Sequence, residues 1–183
     1  MMNRTALCLV VSFLAATSSV LSRDDELLDV RQFGAKRDGK TDDTAAFQKA
    51  LDAAGEAGGD SVRVPRGVYY FAGHLNIPDG VTLKGMWESV PAHNGIRDQG
   101  LPKPTDDGST LLVTEGGGSE DGDPFITLNT NSTLKGVVLY HPNQHVDDVP
   151  MPYPWAIAMR GKNPAVLDVE MLNPYNGIDA TRN

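Results

Sequence analysis

Phe33-Gly34-Ala35-Lys36-Arg37-Asp38-Gly39-Lys40-Thr41-Asp42-Asp43-Thr44 is the stretch that decides the fold. Before it, Leu28-Asp29-Val30-Arg31-Gln32-Phe33 alternates apolar and polar residues, which predicts a strand that Gly34 then turns. After it, Ala46, Phe47, Ala50, Leu51 and Ala54 recur at helical spacing. The short oxygen-bearing side chains of Thr41 to Thr44 stand where the first N–H groups of a helix need acceptors. A helix is therefore expected from Asp43 to Ala54, ended by Gly55, Gly58 and Gly59. Its stripe is narrow, small-residued and carries one Phe, which suits a helix lying across the open end of a sheet stack.

From Ser61 onward the pattern changes to short apolar-alternating runs separated by Gly, Pro, Asn and Asp. Strands are expected near 61–64, 68–71, 81–84, 110–113 and 125–128, then near 133–140, 156–159, 166–171 and 177–179. Thr82-Leu83-Lys84-Gly85 returns as Thr133-Leu134-Lys135-Gly136, and Ala165-Val166-Leu167-Asp168 keeps the apolar beat without the Gly. Irregular strand-and-turn repeats are what a solenoid of parallel strands shows, because each coil buries its inward side chains on its neighbours. Between the two tetrads, one or more coils and a long insertion from about Trp87 to Gly108 are expected. Asn129, Asn131, Asn163 and Asn173 fit turns at coil corners.

Together with Val64-Pro65-Arg66-Gly67-Val68-Tyr69 and Val81-Thr82-Leu83-Lys84-Gly85, the opening stretch closely resembles the amino-terminal segment of the pectate-lyase-like right-handed parallel β-helices. That superfamily includes rhamnogalacturonase, polygalacturonase-related and epimerase-like proteins. The resemblance is strong over residues 28–85 and looser beyond. It implies an all-β solenoid, a right-handed parallel β-helix with an N-terminal capping α-helix. It also implies a carbohydrate-active protein related to pectin or rhamnogalacturonan-type cleavage, by hydrolase or lyase chemistry. The alternative is a non-catalytic glycan-binding or surface-attachment module. Arg37 departs from the pattern, which has Gly before Asp-Gly, and this puts the local turn geometry in question. The Asn-Thr-Asp and Gly-His-Gly motifs of the hydrolytic relatives do not occur, so no catalytic residue is assigned. No cofactor is implied, except calcium if the protein is a lyase.

The chain has 183 residues, enough for one domain with a packed core. Arg4 followed by an apolar stretch from Ala6 to Ala16 and small residues up to Ser22 reads as a secretory signal peptide over 1–22, with the β-helix domain over 23–183. The apolar stretch is short for a membrane span, which needs about 20 residues. Its loss would remove Cys8, the single cysteine, and leave no disulfide framework. A secreted or periplasmic location is expected. The formal net charge of −8 argues against nucleic acid and anionic membranes as partners. It favours an acidic polysaccharide only if a local basic groove or a bridging cation offsets the repulsion. The chain stops at Gly177-Ile178-Asp179-Ala180-Thr181-Arg182-Asn183, directly after a coil and with no covering helix. A domain continuing beyond this point is the expectation, with stacking of the open end on a partner as the alternative.

Among chemistry-bearing residues, Asp42-Asp43 is assigned to the start of the helix, whose dipole would hold both ionised. Asp106-Asp107 and Asp147-Asp148 sit in polar loops. His141-Pro142-Asn143-Gln144-His145-Val146-Asp147-Asp148 gathers imidazoles and carboxylates in a loop with no specific metal spacing. Glu115 to Asp123 has oxygen ligands and glycines that calcium tolerates but lacks the EF-hand pattern. The best candidate for ligand contact is Val149-Pro150-Met151-Pro152-Tyr153-Pro154-Trp155, where Tyr153 and Trp155 offer flat faces to a sugar ring. The alternative is that these aromatics anchor the loop onto the stack.

Overall fold

The computed structural model describes residues 28–88, 107–144 and 148–181. The expected leader, most of the 87–108 insertion, and His145 and Asp147 lie outside the described residues. Chain order runs β1 (Leu28–Asp29), a 3₁₀ turn (Val30–Phe33), β2 (Asp38–Asp42), α1 (Thr44–Glu56), β3 (Ser61–Arg63), β4 (Gly67–Phe71), β5 (Leu75–Ile77) and β6 (Thr82–Lys84). It continues through β7 (Ser109–Val113), β8 (Ile126–Leu128), β9 (Thr133–Lys135), β10 (Val137–Tyr140), β11 (Trp155–Met159), β12 (Ala165–Leu167), β13 (Glu170–Leu172) and β14 (Asn176–Asp179).

These strands form three sheets, ordered β1-β3-β6-β9-β12, β13-β10-β7-β4-β2 and β14-β11-β8-β5. Every described pairing is parallel, so successive turns stack one strand per sheet into a parallel β-helix. The register aligns like with like. Leu28, Val62, Leu83, Leu134 and Val166 make one inward column, and Leu75, Ile126, Ile157 and Ile178 another. Phe47 of α1 packs edge-on against Tyr69 and Phe71 at 5.1 and 4.8 Å, and Phe71 against Phe125 at 5.3 Å. The helix buries Phe47, Ala50, Leu51 and Ala54 and closes the end of the stack, as its stripe predicts.

Several boundaries differ from expectation for local reasons. The first strand stops at Asp29 because a reciprocal cap takes over: Arg31 N–H donates to the Asp29 carboxylate at 2.9 Å, and Asp29 N–H to the Gln32 side chain at 3.2 Å. The helix runs through Gly55 to Glu56, and Pro78 packs closely on Gly55, where a Cβ would sit 3.0 Å from its ring. The segments 133–140 and 166–171 each break into two strands of different sheets, at Gly136 (φ 67°) and Asp168 (φ 51°). β2 and β5 were hidden by polar and very short sequence. The two tetrads pair directly, Thr82 with Thr133 and Lys84 with Lys135, so one turn of the solenoid separates them.

Asn131, Asn163 and Asn173 occupy the left-handed region that their amide side chains tolerate. Asn163 donates to the Asn131 side chain at 3.3 Å, and Asn129 to Asn76 Oδ1 and the Ile77 carbonyl, both at 2.8 Å. Arg37 adopts φ 51°, a left-handed conformation that costs a non-glycine residue backbone strain.

Candidate functional site

In the first sheet the residues beside the apolar column alternate outward. Register places Asp29, Arg63, Lys84, Lys135 and Leu167 in one column on that outer face. Ser61, Thr82, Thr133 and Ala165 form a second column two residues away on the same face. Three successive coils therefore each offer a hydroxyl and a cation, with rungs about 4.8 Å apart along the solenoid. Repetition of Thr-Leu-Lys across a parallel register is the physical cause: the fold stacks whatever the sequence repeats.

A groove of about 540 Å³ runs along this face, lined by Ser61, Arg63, Lys84, Met86, Trp87, Glu88 and Lys135 with Gly85. Trp87 is held by its backbone, whose N–H donates to the Gly136 carbonyl at 3.1 Å. Its indole lies over Gly108, where any Cβ would overlap Cε2 and Nε1. Acidic groups bound the basic stretch. Asp168 pairs with Lys135 at 3.6 Å. At the other end Asp29 is engaged by Arg31 at 2.8 Å. Burial raises the Asp29 pKa, but the Arg31 hydrogen bonds outweigh it and hold the carboxyl below its ordinary range. Among the described residues, Arg63 and Lys84 form no ion pair. Glu88 is the single carboxylate among the described lining residues.

The residues singled out from sequence lie elsewhere. Tyr153 is 1% exposed, with Gly117 against its phenol and His141 edge-on at 5.1 Å. In this structure it anchors its loop to the stack and presents no free face. Trp155, 37% exposed, opens β11 on the third sheet, whereas the groove lies on the first. His141 is buried, and burial pushes its pKa down to about 4, so the ring is neutral at pH 7. No three His, Cys, Asp or Glu side chains gather as metal ligands among the described residues. Within the Glu115–Asp123 loop, Glu120 accepts from the Tyr175 hydroxyl at 2.7 Å.

Asp43 stands at the start of α1 but makes no side-chain cap to it. Its carboxylate accepts from the Lys36 and Arg37 N–H groups at 2.7 and 3.3 Å, tying the preceding turn to the helix start. Burial raises its pKa. Asp42, where partial burial is outweighed by bonds from the Thr44 hydroxyl and the Thr44 and Ala72 N–H groups, is lowered. The cationic column is not legible in the sequence alone because its signal, the lysine shared by the two tetrads, acquires meaning only with direct pairing of β6 and β9.

A family profile described as rhamnogalacturonase A/epimerase, pectate lyase-like, matches residues 27–117. Alginate lyase 7 of Azotobacter vinelandii is 51% identical over 55 residues, 30% of this chain and 6% of that protein. The mannuronan C5-epimerase AlgE1 of the same organism is 46% identical over 68 residues, 37% of this chain and 5% of that one. The chain thus spans a small fraction of these relatives. The A-module of the A. vinelandii epimerase AlgE6 superposes with a TM-score of 0.55 at 22% identity, covering 83% of this chain and 39% of the module. With its parallel register and its helix across the first coils, the chain is a parallel β-helix whose amino-terminal half is similar to the rhamnogalacturonase/epimerase, pectate-lyase-like family.

Proposed function

We propose that this chain binds an acidic polysaccharide along the outer face of its first sheet, as the binding part of a carbohydrate-active β-helix protein that works outside the cytoplasm. The observation that carries the reading is the in-register column Arg63, Lys84 and Lys135, which concentrates positive charge on one face of a protein of net charge −8. Cations at coil spacing meet carboxylates along an extended chain, while the neighbouring Ser and Thr hydroxyls suit sugar hydroxyls. The leader-like first 22 residues support the extracellular setting.

Two relatives are named for alginate and mannuronan, polymers whose sugar rings carry carboxylates. Lyase and epimerase chemistry both remove a ring proton beside such a carboxylate, and a cation held against it stabilises the charge that develops. The groove supports that chemistry better than hydrolysis. Uronate binding without turnover would make the protein the glycan-binding module instead.

Titration calorimetry of the full chain with oligogalacturonate, alginate oligomers and dextran tests the proposal. Both acidic ligands should bind, dextran should not, and affinity should fade as salt is raised through the screening range of about 0.1 to 1 M. Binding that favours dextran equally, or that ignores salt, would sink it.

A further inference from the structure

We propose that Trp87 is the specificity residue of this groove: its indole is an apolar platform for the ring of an acidic sugar, so the face selects sugar acids over other polyanions. The inference rests on the acidic-polysaccharide reading above and adds to it what charge alone lacks. Lysines act as point charges that hold any polyanion. Discrimination needs a feature that recognises the ring, and the C–H face of a sugar packs on a flat aromatic surface.

Trp87 lines the groove together with Arg63, Lys84 and Lys135. Gly108 clears the space for its ring, and Gly136 and Gly85 allow the close backbone approach that seats it. Gly108 lies under the indole, with no room for a Cβ. At Gly136 a Cβ would come 2.5 Å from the Trp87 carbonyl oxygen. Gly85 packs on the Gly136 backbone so closely that a Cβ there would overlap its carbonyl. The half-buried ring also packs on the apolar outer patch of the second sheet with Val68 and Tyr70. Its Nε1 is buried and has no acceptor among the described residues, so the surface it offers to the groove is carbon. A ring so seated, beside cations in register, matches a ligand that is at once anionic and ring-faced.

The test compares an oligogalacturonate with polyacrylate of matched charge at fixed ionic strength, in Trp87→Leu, which keeps apolar bulk over Gly108, and in Trp87→Phe. The ratio of sugar-acid to polyacrylate affinity should fall about five- to tenfold in W87L and stay within about twofold in W87F, the size expected for an aromatic contact. An unchanged ratio in W87L overturns the proposal. In a Trp155→Phe background Trp87 is the sole tryptophan of the chain, so its fluorescence should shift with oligogalacturonate and not with polyacrylate. Sugar-acid binding with no such shift also overturns it. Failure of the basic-column reading shows differently: Lys84→Ala and Lys135→Ala would leave the affinity for both polyanions unchanged.

Discussion

Leu83 and Lys84 are neighbours in β6, yet they live in different columns of the same sheet. Leu83 is fully buried between Val62 and Leu134, and Lys84 stands exposed between Arg63 and Lys135. One residue of offset separates what holds the solenoid together from what it shows to a ligand, because side chains alternate across a strand. The inward column tolerates only apolar groups of fitting volume, whereas the outward column can carry any repeated chemistry at little cost to the fold.

The sharpest way to break the contrast is to truncate each neighbour. Leu83→Ala should destabilise the protein by about 2–5 kcal/mol, as a cavity in a packed stack does, read by urea denaturation. Lys84→Ala should leave stability within about 0.5 kcal/mol and weaken oligogalacturonate binding about five- to tenfold, the value of one half-desolvated charged contact. A large stability loss in K84A would show that the outer column is also structural.

The third sheet offers an intermediate case, since Asp179 is charged and yet 2% exposed, one rung beyond Ala158. The Thr181 hydroxyl and N–H, with Arg160 at 2.8 Å, hold its carboxyl at about 2, below the ordinary 3.8. A lowered carboxylate pKa contributes stability that is fully present above the ordinary value and is lost as pH falls towards the folded one. The stability gap between the protein and its Asp179→Asn variant should therefore be widest above pH 4 and close towards pH 2. A gap that does not change across that window would show that Asp179 acts by packing alone.

Much of the scaffold was legible in sequence. Thr41 to Thr44 ahead of a narrow apolar stripe marked the helix, and the Thr-Leu-Lys-Gly tetrads marked a repeat. Corners were less so: Gly136 and Asp168 bend the chain between sheets by their left-handed backbone, and the runs across them read as single strands. The candidate site was least legible. Tyr153 and Trp155 drew attention as adjacent aromatics, but the fold buries the first and places the second on another sheet, while Trp87 and Lys84 met Lys135 only through pairing of coils far apart in sequence. A groove built from register is invisible until the register is known.

Asp168 supplies the smallest effect and the finest test of the column. It replaces the tetrad glycine in the next coil, keeps the left-handed turn at φ 51°, and reaches back to Lys135 at 3.6 Å. Both side chains are more than a third exposed, so the pair contributes only about 0.2–1 kcal/mol. It nonetheless competes with any carboxylate that Lys135 would hold. Asp168→Asn keeps a residue that tolerates the turn, removes the competitor, and should tighten oligogalacturonate binding about twofold at low salt, with the gain gone at high salt. Weaker binding in D168N would mean that the carboxylate orients Lys135 for the ligand, and the column would then end in a positioning group instead of a rival.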